Sequence, residues 1–185
     1  MTGKNAPSRI LVLLGSPHRN GTTAVLARRF TEGAEESGCA VKMIQCSDLD
    51  VRPCMACHGY GCEGPCRIRD DMDIVRDEAL GSDVIVYVTP IYYAGVSAQL
   101  KAVMDRFYGF NREFKSRGFG MALITAAHER TMASTAPAVS QYREIVSYTG
   151  SRDLGMVNAL GCGVPGDLEG TVYPSMAYDL GRSVR

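Results

Sequence analysis

Two stretches of this chain are apolar without a polar break: residues 10–14 (Ile-Leu-Val-Leu-Leu) and 84–88 (Val-Ile-Val-Tyr-Val). A strand with one wet face alternates, whereas an unbroken run of this length suits a strand covered on both faces of a parallel sheet. Each run stops at a loop of small, hydroxyl or proline residues, after which apolar residues recur at helical spacing. Behind the first, Leu26, Phe30 and Gly33/Ala34 share one face of a helix expected over 22–37. Behind the second, Leu100, Val103, Met104 and Phe107 do the same. Further strands are expected at 40–44, 119–125 and 154–160. Further helices are expected from Asp70-Asp71-Met72, around Val139, Tyr142, Val146 and Thr149, and in a short piece from Pro174.

Five strands alternating with helices predict an α/β fold, an open five-stranded parallel sheet with helices on both faces. Right-handed crossovers place every strand-end loop on one edge, and ligands of such sheets bind where the strand order reverses. At 185 residues, without repeat or linker, the chain is expected to form a single domain over 1–185.

The loop after the first run reads Gly15-Ser16-Pro17-His18-Arg19-Asn20-Gly21-Thr22-Thr23. A helix start behind such a loop offers unpaired N–H groups and a dipole that favours negative charge. Ser16, Thr22 and Thr23 add hydroxyls, and the glycines allow close approach. The loop lacks the Lys-Ser/Thr ending of a nucleoside-triphosphate loop and the G-x-G-x-x-G of a dinucleotide site, so a single phosphate suits it best. An ordinary well-capped turn has a similar composition.

Charge narrows the partners. Twenty basic and twenty acidic residues balance, which does not give the basic footprint of a nucleic-acid binder. No apolar run is long enough to cross a bilayer and the N-terminal stretch does not read as a signal peptide, so no membrane is expected and the expected location is cytoplasmic.

Four of the seven cysteines, Cys54, Cys57, Cys62 and Cys66, fall in one segment, about 47–70, where regular patterning stops after the second strand. The spacing C-x2-C-x4-C-x3-C can wrap a [4Fe–4S] cluster. Free thiols, redox-active or packed, and a four-thiolate zinc site are the alternatives. Cys39, Cys46 and Cys162 are expected to pack as small apolar residues.

Three motifs carry a resemblance. The loop at 15–23, the stretch Thr89-Pro-Ile-Tyr-Tyr-Ala-Gly-Val-Ser-Ala-Gln-Leu-Lys-Ala-Val-Met-Asp-Arg-Phe, and the cysteine segment running into Asp70-Asp71-Met72 together resemble the NADPH-dependent FMN reductases and iron–sulfur flavoproteins. The resemblance implies a flavodoxin-like fold with a cysteine-rich insertion after strand two, and FMN at the strand-end loops. By position, Ser16, His18, Asn20, Gly21, Thr22 and Thr23 would hold the phosphate and ribityl chain. Pro90, Ile91, Tyr92, Tyr93 and Gly95 would line the ring, with Thr125 and His128 at its pyrimidine end. The iron–sulfur members usually place the third cysteine two residues earlier, where this chain has Tyr60.

What the resemblance implies functionally is an FMN-dependent oxidoreductase that takes electrons from NAD(P)H and passes them to a small or protein acceptor. The alternative is an electron carrier with FMN and [4Fe–4S], fed by ferredoxin. A flavodoxin-like domain with an empty site is the non-redox alternative. Hydride transfer needs no protein acid or base, so no catalytic residue is assigned. The family also implies a homodimer or homotetramer.

Overall fold

The computed structural model describes residues 8–57 and 66–184. Its centre is a five-stranded sheet, all parallel, in the order β2-β1-β3-β4-β5. The strands are β1 (Arg9–Leu14), β2 (Ala40–Gln45), β3 (Val84–Pro90), β4 (Gly120–Ala127) and β5 (Arg152–Leu160). The helices are α1 (Thr22–Glu36), α2 (Met72–Leu80), α3 (Ala98–Arg106), α4 (Asn111–Arg117), α5 (Met132–Thr149) and α6 (Tyr173–Ser183). The strand order reverses between β1 and β3, so the loops after those two strands diverge around a crevice at the sheet edge.

Strand alternation sorts the apolar runs into two layers. Ile10, Val12, Val84, Val86, Val88, Ala122 and Ile124 pack with Leu26 and Phe30 of α1 and Ala177 of α6. Leu11, Leu13, Ile85, Tyr87, Met121 and Leu123 face the other way, towards Val75, Leu100, Val103, Phe107 and Tyr142. Full burial of each large apolar side chain is worth about 1.5–3 kcal/mol, which is why the runs 10–14 and 84–88 carry no charged or small polar residue. The Tyr142 hydroxyl lies 2.7 Å from the Met121 carbonyl and 2.6 Å from the Asp153 carboxylate, tying α5 to two strands.

Helices α1 and α6 cross with backbones in contact. A Cβ on Gly33 would overlap the Tyr178 carbonyl, and one on Gly181 would overlap the Phe30 carbonyl. The C-terminal helix is therefore built into the same layer as the helix that begins at the 15–23 loop.

One helix was not legible in the sequence. Residues 111–117 continue a 3₁₀ turn, Phe107–Phe110, into α4. Phe107, Phe110, Phe114 and Phe119 pack there with ring centroids 4.4–6.2 Å apart. Helix α5 also begins earlier than its periodicity suggests and carries Pro137 in its interior. Among the described residues, no helix is long and apolar enough to cross a membrane.

Candidate functional site

Where β1 ends, the chain is held by close backbone contacts. The Gly15 N–H donates to the Val88 carbonyl at 2.7 Å, and the Gly15 carbonyl accepts from Ser97 Oγ at 2.7 Å. A Cβ at Gly15 would stand 2.6 Å from Ser97 Oγ and 2.8 Å from Leu100 Cβ, so only glycine fits. The buried Ser16 hydroxyl accepts from the His18 N–H at 3.1 Å, and Gln45 Nε2 donates to the Ser16 carbonyl. Arg19 reaches out of the loop to Asp48 at 2.7 Å.

The helix that follows is left without a cap. Gly21 stands at the N-cap and has no side chain to offer the first N–H groups. Thr22 and Thr23 are buried behind it, and Thr22 Oγ1 has no hydrogen-bond partner among the described residues. A buried hydroxyl without a partner is costly. Together with the exposed positive end of the dipole, it marks a place that an anion completes.

The loop after β3 forms the facing wall. Thr89 Oγ1 donates to the Pro90 carbonyl at 2.8 Å and accepts from the Ser97 N–H at 3.0 Å. The Ile91 N–H donates to the Ala126 carbonyl at 2.9 Å, joining this loop to the end of β4. Tyr92 and Gly95 exchange N–H···O bonds of 3.0 and 3.1 Å around a tight turn. Its central residues, Tyr93 and Ala94, have φ of 49° and 65°. Such angles cost a residue with a Cβ about 1–2 kcal/mol, and strain of this kind gathers at functional loops.

The loops after β4 and β5 close the end. Gly161 N–H donates to the Glu129 carbonyl at 2.9 Å and Cys162 N–H to the Ala127 carbonyl at 2.8 Å. His128 sits against Gly163, where a Cβ would come within 2.7 Å of Nδ1. Burial pushes the Cys162 thiol up in pKa, Asp167 adding to the effect, and its Sγ donates to the Leu160 and Asp167 carbonyls.

These loops enclose a cleft of about 570 Å³, within the range of small-ligand and cofactor sites. Ser16, His18, Asn20, Gly21, Thr22, Thr23, Pro90, Ile91, Tyr92 and His128, all expected from the sequence, line it. Tyr93, Gly95 and Thr125 do not. Tyr93 is fully exposed, Gly95 closes the turn, and Thr125 is wholly buried with its Oγ1 on Asn158 at 2.9 Å. Period-two alternation explains the last: Ala126, one position on, is the β4 residue that faces the cleft. Arg19, Ala126 and the stretch Cys162, Gly163, Val164 and Pro165 line it too. Nothing in the residue types at 162–165 signals a site; the parallel register of β5 beside β4 brings them there. The donor set suits FMN: an uncapped helix terminus and free hydroxyl for a phosphate, and Pro90, Ile91, Tyr92 and Ala126 for a flat apolar ring.

The described stems of the cysteine segment meet the C-terminal end of α3 at Arg106. Cys62 lies outside the described residues. Of the others, Cys54 and Cys66 are half-buried and Cys57 is exposed. Among the described residues no group of three His, Cys, Asp or Glu side chains is placed to hold a metal ion. Cys39, Cys46 and Cys162 are buried, and burial pushes the Cys46 thiol up to about 12. The described stems of the segment meet at a buried ion pair, Arg106 and Asp70, with Nη1 and Nη2 at 2.7 and 3.0 Å from the two carboxylate oxygens. Burial opposes the Asp70 charge, but the Arg106 fork and the N–H groups of Arg52 and Met72 outweigh it and hold the carboxyl below its ordinary range. Burial likewise opposes the Arg106 charge, and Asp70 with Cys66 raises its pKa on balance.

A family model described as NADPH-dependent FMN reductase matches residues 8–159. An iron–sulfur flavoprotein of Methanocaldococcus jannaschii is 36% identical over 98 residues, 53% of this chain and 51% of that one. An iron–sulfur flavoprotein of Archaeoglobus fulgidus is 38% identical over 97 residues, 52% and 49% of the two chains. The chain thus spans about half the length of these curated relatives. Among solved structures, an NAD(P)H:quinone oxidoreductase from Methanothermobacter marburgensis superposes with a TM-score of 0.74 at 16% identity, covering 97% of this chain and 100% of that one. At that identity the likeness is one of fold.

Proposed function

The chain belongs to the NADPH-dependent FMN reductase family, and on that footing we propose that it is an FMN-dependent oxidoreductase drawing electrons from NAD(P)H and passing them to a small acceptor or redox partner. The observation that carries this reading is the buried, unpartnered Thr22 Oγ1 at the uncapped start of α1, inside a cleft whose far wall is apolar. Bound FMN supplies the hydride and electron chemistry. The protein's part is binding and orientation. The first N–H groups of α1 and the hydroxyls of Ser16, Thr22 and Thr23 would hold the phosphate, and His18 and Asn20 the ribityl chain. Pro90, Ile91 and Ala126 shield the ring from water, and Tyr92 offers it an aromatic face. His128, seated against Gly163, would hold the ring edge or an incoming acceptor.

The test is FMN titration of the purified protein by quenching of flavin fluorescence, with NADPH oxidation followed using a quinone acceptor. The expected result is stoichiometric FMN uptake and turnover that needs FMN. Thr22→Val removes the hydroxyl alone and should weaken FMN at least about tenfold, the size of a hydrogen bond to a charged group. Protein that arrives colourless and takes up no added FMN overturns the reading.

A second reading, an electron carrier holding FMN and a [4Fe–4S] cluster and fed by ferredoxin, draws support from the names of the two archaeal relatives and from the C-x2-C-x4-C-x3-C spacing. The described cysteines do not by themselves compose a metal site, so no electron path is drawn through one. Iron and acid-labile sulfide assayed on anaerobically purified protein decide between the readings. About four irons per chain favours the carrier, and iron-free flavoprotein favours the reductase.

A further inference from the structure

Arg106 is the last residue of α3, and its side chain is 2% exposed. Burying a guanidinium is costly unless every face of it is answered. Here both Nη atoms are answered by the two stems of the cysteine segment, while Nε has no hydrogen-bond partner among the described residues. Nη1 donates to the Arg52 carbonyl at 2.9 Å and to Asp70 Oδ2 at 2.7 Å. Nη2 donates to Asp70 Oδ1 at 3.0 Å and to the Ile68 carbonyl at 3.3 Å. Asp70 returns the grip: its carboxylate accepts the Arg52 N–H at 3.0 Å and the Met72 N–H at 3.1 Å. The outgoing stem, ahead of Cys54 and Cys57, and the incoming stem, behind Cys66, therefore end on one planar fork. Cys66 also packs against Gly109, just beyond α3, where a Cβ would lie 3.4 Å from Cys66 Cβ.

A loop whose ends are fixed has fewer conformations to lose when its side chains are ordered. The FMN cleft does not need this arrangement, because none of Arg52, Ile68, Asp70 or Arg106 lines it. We propose that Arg106 is a positioning residue for the cysteines: its fork and Asp70 clamp both stems onto α3 and thereby set where Cys54 and Cys66 stand relative to one another. The same helix begins at Ser97, whose hydroxyl holds Gly15 at the cleft. Both the cleft loops and the cysteine stems are thus referred to one rigid element.

The inference does not rest on FMN, and neither does its test. Thiol labelling of the cofactor-free full chain is followed cysteine by cysteine by peptide mass spectrometry, in the wild type, Arg106→Gln, Arg106→Lys and Asp70→Asn. FMN binding is titrated separately, so that failure of the flavin reading shows itself apart from failure of the clamp. The clamp predicts that labelling of Cys54 and Cys66 rises tenfold or more in Asp70→Asn and Arg106→Gln, while the buried Cys39, Cys46 and Cys162 stay slow. Arg106→Lys should fail to restore the wild-type rates, since an ammonium carries charge but cannot span two carbonyls and a carboxylate. Unchanged rates at Cys54 and Cys66 overturn the proposal. So does a lysine variant that behaves as wild type, or an equal acceleration of all six described thiols, which would make the pair a support of the whole fold. Should Arg106→Gln fail to fold, the nearly isosteric Asp70→Asn carries the test.

Discussion

Ser97 Oγ donates to the carbonyl of Gly15 at 2.7 Å, joining the start of α3 to the end of β1. The same oxygen caps the helix by accepting the Leu100 N–H at 3.4 Å, and the Ser97 N–H is taken by Thr89. One small side chain thereby fixes the spacing of the two loops that form opposite walls of the cleft. Ser97→Ala leaves the Gly15 carbonyl unpaired and the helix uncapped. Thermal unfolding should show a loss of about 1–2 kcal/mol, with a weaker FMN titration beside it.

Gly15→Ala attacks the same joint by crowding. Its Cβ would press on Ser97 Oγ and on Leu100 Cβ, and overpacking of a dense site costs about 1–3 kcal/mol. Adding Ser97→Ala removes the first clash and not the second. Chemical denaturation of the double variant should therefore recover only part of the loss.

The contact between α1 and α6 is equally intolerant. Alanine at Gly33 or Gly181 would collide with the backbone of the facing helix, which cannot step aside as a flexible side chain can. Each variant is expected to lose at least about 2 kcal/mol in urea unfolding, within the range for overpacked positions or above it. Alanine at the exposed Gly166, which meets nothing, is the neutral comparison.

Acid should loosen the stems of the cysteine segment before the rest. Asp70 has its folded pKa depressed, mainly by Arg106 against the opposing effect of burial, so its stabilisation is present above the unfolded value of about 3.9 and is lost as pH falls through the lower folded value. Arg106 and Arg52 are the cations facing it. Removing one partner of a buried pair costs about 3–5 kcal/mol. The stability gap between wild type and Asp70→Asn should hold from pH 7 to about 5 and close below about pH 4. A gap that is flat through that range would contradict the assignment.

The Tyr92–Gly95 turn stores strain that can be relieved. Ala94→Gly removes the Cβ from a residue at φ 65° and should raise stability by roughly 0.5–1 kcal/mol in thermal unfolding. If the turn is held in this shape for the ring, FMN affinity should fall as stability rises.

Much of the sheet could be read directly. Val84 to Val88 and Ile10 to Leu14 are apolar on both faces because both faces are covered, and that requirement writes itself into consecutive residues. Ser16, Thr22 and Thr23, which line the cleft, stand out in the sequence because hydroxyls ahead of and at the start of a helix have a local reason to be there. Thr125 was less so: it stands at the right strand end, but alternation turns it into the interior and gives the cleft to Ala126. Helix α4 was missed because its seven residues carry only Phe114 as a buried anchor, too little for a period to show.

What the chain's sequence determined by itself is local and short in range: which segments must be buried on both sides, where a helix starts behind a hydroxyl-rich loop, and that four cysteines fall within one short segment. What only the tertiary structure decided is which of these meet. Cys162 to Pro165 enter the cleft through the register of β5 beside β4. Gly33 and Gly181 each meet the backbone of the facing helix because two distant helices pack in one layer. Arg106 faces Asp70, Arg52 and Ile68 because α3 lays its end between the two stems. The physical reason is the same each time. Periodicity and capping act over a few residues of chain, whereas the pairing of a buried charge or the fit of a bare backbone depends on groups that sequence separation hides and packing alone brings within 3 Å.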